Sequence, residues 1–250
     1  MPTTKKSKSA STTKATPVAP AKSATLFGGD LSAGPLLAEF LGTAALTAVI
    51  LVGSGSPLIA AMAVIVLVVI FAKVSGGHFN PAVTIGLLLA RHIPVWRAAG
   101  FIVAQTLGAI LALTIVNKFI TTGTPVIDQS TGEAMTHAFA VRLPDGHWEQ
   151  FFAEALGSLI FGLGIGSIAF GKKEGIDAGI AAGLALFAGL VVATLGSAAV
   201  LNPAVALGVS AYTSDGWTWL AYIGGPIVGM TAGIWLFKLM QWDVTDRKKA

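Results

Sequence analysis

Six long apolar stretches alternate with short polar connections along the chain. They occupy roughly residues 35–53, 57–75, 95–117, 150–171, 176–195 and 217–240. A helix needs about 20 apolar residues to cross the hydrocarbon core of a bilayer, so each stretch is long enough to be a span. Lipid offers no partner to a free backbone group, so the spans are predicted to be helices. The pattern predicts an all-α polytopic membrane protein.

Two shorter apolar pieces, at 82–90 and 204–212, lie between the long ones. Nine helical residues extend only about 14 Å, which is half the thickness of a membrane. Backbone that ends at that depth is tolerated only against protein or a water-filled cavity. With the residues that begin them, these pieces are predicted to be re-entrant half-helices over 80–90 and 202–212.

Composition excludes a soluble protein. Of the 250 residues, 54% are hydrophobic and 11% are charged, against about 25% charged in an ordinary soluble domain. There is no cysteine, which removes disulfides, thiol catalysis and thiolate metal sites. We recognise no nucleophile–base pair, phosphate-binding loop or metal-ligand spacing, so neither enzymatic activity nor a cofactor or metal is expected.

The basic residues indicate the orientation. On the six-span arrangement, 14 of the 16 Lys and Arg residues lie on the side of the two termini, and only Lys118 and Arg142 lie on the other. The positive-inside rule therefore places both termini in the cytoplasm. Because the net charge of +4 follows membrane sidedness, no nucleic-acid partner is expected.

Both ends of the chain are predicted to be cytoplasmic tails, over 1–25 and 242–250. The first is rich in Lys, Ser, Thr, Ala and Pro and has no apolar run, so it is predicted to be disordered rather than a secretory signal. Contact of this basic tail with anionic lipid is the alternative to a purely solvated role.

The chain repeats itself weakly. The heptapeptide LLAEFLG at 36–42 resembles FFAEALG at 151–157, and NPAV occurs at both 80–83 and 202–205. In each half the NPAV sequence follows two spans and precedes the third. Each half therefore has an odd number of spans, so the second half enters the membrane inverted.

The repeat divides the chain into two units, 34–117 and 150–241, with residues 118–149 predicted to link them on the extracytoplasmic side. Inverted repeats whose broken helices meet at the bilayer midplane are an architecture of membrane transport proteins. The predicted fold is thus six transmembrane helices plus two re-entrant half-helices, related by an inverted repeat.

The two NPAV sequences have the chemistry of helix starts. Asn is a strong N-cap and Pro is favoured at the first helical position, so one half-helix begins after Asn80 and the other after Asn202. Each helix N-terminus carries about half a positive charge, so two that face each other repel cations. The two Asn amides donate hydrogen bonds to a passing oxygen. A neutral polar solute is therefore favoured over a cation.

With the spans around them, these motifs resemble the aquaporin family, also called the major intrinsic proteins, over about 34–241. The resemblance implies an hourglass-shaped pore in each protomer and a homotetramer. It places the pore motifs at Asn80, Pro81, Ala82, Asn202, Pro203 and Ala204.

Four other polar residues match family positions or lie close to the motifs. The resemblance implies that Glu39 and Glu154 hold the loop backbones in place, and proton relay by the pair is the alternative. His78 either braces its loop or acts as a pH switch. Lys73, at the inner mouth, either modulates solute entry or extends to the membrane interface.

The chain departs from the family at the outer constriction. The family usually has Arg three residues after the second motif's Asn, and here that residue is Val205. Counting back without gaps gives the rest of the filter as Ala60, Leu190 and Ala199. This filter has no charge, no aromatic ring and no side-chain donor, and we expect weak discrimination among neutral solutes. The alternative is that a shifted loop brings another group into the ring.

These observations predict a passive channel for water and small uncharged solutes of the glycerol or urea type. The alternatives are an ion- or proton-conducting channel, motivated by the missing Arg, and a gated or non-conducting scaffold, motivated by an apolar constriction that stays dry. The protein is expected in the lipid bilayer of a plasma membrane, namely the inner membrane of a bacterium.

Overall fold

Helices account for nearly all of the chain that the computed structural model describes, namely residues 32–122, 127, 131–134, 146–212 and 216–247. Their bounds are α1 Ala33–Val52, α2 Pro57–Ser75, α3 Pro81–Leu89, α4 Val95–Thr122, α5 His147–Ala169, α6 Gly175–Ala193, α7 Pro203–Gly208, α8 Trp217–Trp219 and α9 Gly225–Arg247. In this part of the chain, six helical segments are long and apolar enough to cross a membrane. The predicted fold class is confirmed. The tail predicted at 1–25 and most of the predicted linker lie outside the described residues.

The spans are apolar around most of their circumference. Large side chains such as Leu58 and Phe119 are 59% and 67% exposed on the outer surface of the bundle. A helix that is hydrophobic on every face belongs in lipid or in the centre of a large core. These side chains face outward, so lipid is their solvent.

Corresponding helices of the two halves pack in corresponding ways. α1 lies against α4 and α2, and α5 lies against α9 and α6. Small residues allow the close approach, since a Cβ at Gly108 would meet the carbonyl oxygen of Phe40, and one at Gly229 would meet that of Ala155. Such small-residue contacts are how helices pack closely inside a bilayer, where burial from water drives nothing further.

The two half-helices end in the same way. Arg91 and Ser210 have left-handed backbone, with φ of 59° and 57°. The next residue in each case donates its N–H five residues back, from His92 to the Leu87 carbonyl at 2.8 Å and, in the second half, from Ala211 at 2.9 Å. This arrangement terminates a helix. It ends the regular part of α7 at Gly208, so α7 is shorter than the predicted 202–212.

The last span contains a π-helical turn over Leu220–Gly224 between α8 and α9. Pro226 has no N–H to donate to the Tyr222 carbonyl, and the N–H of Gly225 bonds to the Leu220 carbonyl five residues back. Hydropathy located this span but did not indicate the turn. α9 continues as a helix to Arg247, beyond the predicted end of the span at 240.

Candidate functional site

The two Asn-Pro-Ala motifs meet and are tied to each other. Asn80 Nδ2 donates to the Leu201 carbonyl at 2.9 Å, and Asn202 Nδ2 donates to the Phe79 carbonyl at 2.9 Å. Each bond joins loops more than 100 residues apart in the sequence. The reciprocal pair holds the two half-helices start to start, as the inverted repeat predicts.

Each Asn also caps its own half-helix. Asn80 Oδ1 accepts from the Ala82 N–H at 2.8 Å, and Asn202 Oδ1 accepts from the Ala204 N–H at 3.1 Å and the Val205 N–H at 3.3 Å. A side-chain amide has two N–H hydrogens, and the tie across the motifs uses one. Both Asn residues also line the central cavity.

Both loops pass through left-handed backbone before they reach the Asn. The residue immediately before each Asn has φ of 49° at Phe79 and 55° at Leu201, and the residue three before has φ of 68° at Gly77 and 53° at Ala199. Three of these four residues carry a side chain, for which such backbone is costly. The matching pattern shows that the two loops follow the same path.

This path leaves backbone acceptors in the cavity. Among the described residues, the carbonyl oxygens of five loop residues accept no hydrogen bond from the protein, and all five residues line the cavity: Gly77, His78, Ala198, Ala199 and Val200. An unpaired carbonyl needs a partner. A solute with O–H or N–H donors supplies it.

Glu39, fully buried on α1, holds the first loop. Its Oε1 accepts from Ser75 Oγ at 2.6 Å and from the His78 N–H at 3.0 Å. Its Oε2 accepts from the Phe79 N–H at 2.7 Å and from Gln105 Nε2 at 2.8 Å. Neither Ser75 nor Gln105 was among the predicted site residues. Two of the four bonds reach loop N–H groups, one reaches the end of α2 and one reaches α4.

Glu154 makes the equivalent contacts on α5. Its Oε1 accepts from Ser197 Oγ at 2.7 Å and from the Val200 N–H at 2.9 Å, and its Oε2 accepts from the Leu201 N–H at 2.7 Å. A buried carboxylate that accepts several hydrogen bonds is compensated for its loss of hydration. Two of the three bonds come from N–H groups of the second loop, and loop holding stays a prediction with proton relay as its alternative.

Tyr222 supports the second loop from the π-helical turn. Its hydroxyl accepts from the Ala198 N–H at 3.0 Å, and the side chain is fully buried. Nothing in the local sequence around Tyr222 predicts this contact.

We expect Tyr222→Phe to destabilise the protein by about 1 kcal/mol, because the Ala198 N–H loses its partner while the ring still fills its site. The melting temperature in detergent and the water permeability of proteoliposomes measure the effect. A melting temperature equal to the parent's would contradict it.

His78 contacts its own half-helix. Nδ1 lies 3.1 Å from Thr84 Oγ1, and the ring packs edge-on against Phe101 with 5.3 Å between centroids. Thr84 also accepts from Gln105 Nε2 at 3.0 Å. These contacts fix the orientation of the ring, and bracing of the loop stays a prediction with a pH switch as its alternative. The ring also borders the cavity.

The four predicted filter residues line one narrow cavity of about 60 Å³. Ala60 comes from α2, Leu190 from α6, Ala199 from the second loop and Val205 from α7, and all four border the same space. Ile50 and several other apolar residues that line the cavity were not predicted. Among the described lining residues there is no charged side chain. The missing Arg therefore has no substitute in this part of the chain.

The cavity continues into a wider vestibule of about 420 Å³ beyond His78, called the inner vestibule here. Five residues border both spaces: Val68, Gly77, His78, Ile165 and Ala182. The vestibule is also lined by Lys73, His92, Lys173 and Glu174. Lys73, predicted at the inner mouth, is thus one of the residues that line this wider space. The described residues contain no group of three His, Cys, Asp or Glu side chains arranged to hold a metal.

This path is surrounded by the two loops and by four spans, namely α1, α2, α5 and α6. It runs from an apolar constriction past the paired Asn amides to an open vestibule. Such a fold and site define a multi-pass membrane channel. The chain belongs to the major intrinsic protein family, whose model matches residues 31–237. Its members are channels and not enzymes, and this chain is a passive channel for water and small solutes.

Individual relatives agree. The glycerol uptake facilitator protein-like 6 of Lactiplantibacillus plantarum is 32% identical over 217 residues, 82% of this chain and 96% of the relative. Aquaporin NIP1-2 of Arabidopsis thaliana is 28% identical over 77% of this chain and 64% of its own length. The X-ray structure of the aquaglyceroporin from Plasmodium falciparum has the same fold, with a TM-score of 0.65, 21% identity, and coverage of 85% of this chain and 98% of that one.

Proposed function

We propose that this channel passes small uncharged solutes of the glycerol or urea type together with water, and that Ala60, Leu190, Ala199 and Val205 form its constriction. The observation that carries the proposal is the meeting of these four residues at one narrow, uncharged cavity. The names of two relatives, a glycerol uptake facilitator-like protein and an aquaglyceroporin, support the same solute class.

Size and polarity both favour such solutes. Two of the four side chains are single methyl groups, so they leave room for a carbon skeleton. Passage along the apolar wall costs a polyol less free energy than it costs an ion, because the ion loses hydration that these side chains do not replace. Deeper in the cavity, the Asn80 and Asn202 amides and the unpaired carbonyls provide the hydrogen bonds that the solute has lost.

Cation exclusion is proposed to follow from the same features. The first contribution is the free-energy cost of removing hydration water from a cation in the apolar constriction. The N-terminus of α3 then adds a positive field at the midpoint, with a smaller contribution from the short α7.

Val205→Arg is the direct test of the proposed filter. The larger cationic side chain narrows the cavity, so we expect glycerol and urea permeation to fall at least about tenfold while water permeation changes less. Stopped-flow light scattering of proteoliposomes under osmotic gradients measures all three rates.

Two variants separate size from charge and guard against misfolding. Val205→Leu adds volume without charge, and Ala60→Phe narrows the same cavity from α2. We expect Ala60→Phe to reduce glycerol entry as well. Parent protein that conducts water but no glycerol or urea would overturn the proposal, as would glycerol entry unchanged by both Val205→Arg and Ala60→Phe.

We further propose that the protein is a homotetramer in the plasma membrane of a bacterium, with both termini cytoplasmic. The distribution of basic residues supports the orientation, and the bacterial facilitator-like relative supports the setting. Because the chain has no cysteine, a single cysteine placed in either tail reports its side by labelling with an impermeant reagent. Native mass spectrometry measures the subunit number.

A further inference from the structure

The inner vestibule holds the positive charge that the constriction lacks. Lys73 at the end of α2 and Lys173 before α6 both line it, although they come from different halves of the chain. Glu174 is the acidic side chain among the described residues that line it. By contrast, no charged side chain among the described residues lines the narrow cavity beyond it.

A third cation lies behind the vestibule wall and is held in place. Lys238 Nζ donates to the Ala90 carbonyl at 2.9 Å, at the C-terminal end of α3. It also lies 4.6 Å from the Trp235 ring centroid and 5.2 Å from that of Phe170. A cation fixed by a carbonyl and two aromatic faces does not extend away into solvent.

His92 connects this charge to the lumen. It lines the vestibule, and its ring packs edge-on against Phe170 with 5.4 Å between centroids. Burial lowers the pKa of His92 below its usual value, and the nearby Lys238 lowers it further. A His with a lowered pKa is neutral at neutral pH, so His92 adds no charge there.

We propose that Lys73 and Lys173, with Lys238 as a fixed background charge, form an electrostatic barrier to cations at the inner vestibule, and that this barrier replaces the filter Arg absent at Val205. The inference rests on the proposed function, since it concerns selectivity along the same path. Two lysines against one glutamate leave this mouth with an excess of positive charge, and its low-dielectric walls focus the field of that charge on the lumen. A cation meets this repulsion before it reaches the constriction where it must lose its hydration.

The test compares the parent with Lys73→Gln/Lys173→Gln in proteoliposomes that contain a Na⁺-sensitive dye. We expect Na⁺ entry to rise about tenfold in the double variant, because two repulsive charges are gone. Water and glycerol rates are measured in the same liposomes, and Na⁺ entry is compared as its ratio to these neutral-solute rates. Both side chains are exposed, so the substitutions leave the core intact.

Three comparisons distinguish charge from structure. Lys118→Gln removes a lysine about 35 Å along α4 from the start of that helix, which lies just after the vestibule residue His92. This variant should not change Na⁺ entry. Glu174→Gln removes the opposing charge and should lower Na⁺ entry below the parent's. Raising the salt concentration should weaken the barrier of the parent more than that of the double variant.

The Na⁺ measurement tests the barrier, and the glycerol and urea measurements test the proposed function. Na⁺ entry unchanged in the double variant, or raised equally by Lys118→Gln, would overturn the barrier whatever the glycerol rate. Absence of glycerol and urea entry in the parent would overturn the proposed function whatever the Na⁺ rate.

Discussion

Replacing Glu154 with alanine is expected to abolish solute permeation and to destabilise the folded channel by several kcal/mol. The substitution leaves the Val200 and Leu201 N–H groups without their acceptor in a buried site, whereas the Ser197 hydroxyl keeps the Ala193 carbonyl at 3.0 Å. Each buried donor left unpaired costs about 1–3 kcal/mol. Leu201 also supplies the carbonyl that binds Asn80, so the tie between the motifs is lost with the loop.

The measurements are the melting temperature in detergent and the water and glycerol rates of proteoliposomes. Glu149→Ala is the matched control, because it removes an exposed carboxylate from the first turn of the same helix. It should cost at most about 1 kcal/mol and leave the flux unchanged. Glu154→Gln keeps the size but turns one acceptor into a donor that faces N–H groups, so an intermediate loss is expected. A Glu154→Ala protein with parental stability and flux would refute the loop-holding role.

Glu154→Gln also tests the proton-relay alternative directly. If Glu154 holds the loop, the variant loses solute flux, and the parent shows no proton entry above empty liposomes. If it relays protons, the parent acidifies the liposome interior under a pH gradient and the variant does not.

Gly229→Ala is expected to prevent correct packing of α9 against α5. The added Cβ would collide with the carbonyl oxygen and neighbouring backbone atoms of Ala155, and backbone inside a packed helix pair cannot move aside as a flexible side chain does. Overpacking of a core typically costs about 1–3 kcal/mol and more where backbone must shift. We expect a lower melting temperature and a smaller yield of monodisperse protein.

Gly34→Ala is the control for the intrinsic preference of alanine for helices. Nothing lies within 4 Å of a Cβ at Gly34, near the start of α1, so this variant should be neutral or slightly stabilised. The comparison uses thermal unfolding and size-exclusion chromatography of the two purified variants. Equal behaviour of Gly229→Ala and Gly34→Ala would show that α5 and α9 are less closely packed than described.

The spans were predictable because their signals are local. The stretch predicted at 57–75 is the helix Pro57–Ser75, which begins with a Pro at its first position and ends before the left-handed Gly76. Bilayer thickness sets the length of such a segment, and the lack of hydrogen-bond partners in lipid makes it helical. The starts of α3 and α7 were predictable for the same reason, since Asn followed by Pro is a local helix-start signal.

Contacts between distant residues were not predictable from local signals. Three hydrogen bonds of this kind join separate elements. Asn80 binds the Leu201 carbonyl, Tyr222 binds the Ala198 N–H of the second loop, and Gln105 binds Glu39. Their partners are ordinary residues in apolar spans. Only the packing of the helices shows which of them face one another.

The sequence by itself determined the number of spans and the two helix starts within the membrane, because hydropathy and helix capping are properties of short segments. Tertiary structure decided the cross-ties between the loops and the charge of the inner vestibule. Lys73 and Lys173 share a space because α2 and α6 pack closely, with a Cβ at Gly183 meeting the Ala61 carbonyl. Such convergence depends on the shapes of facing helices, which no single segment encodes.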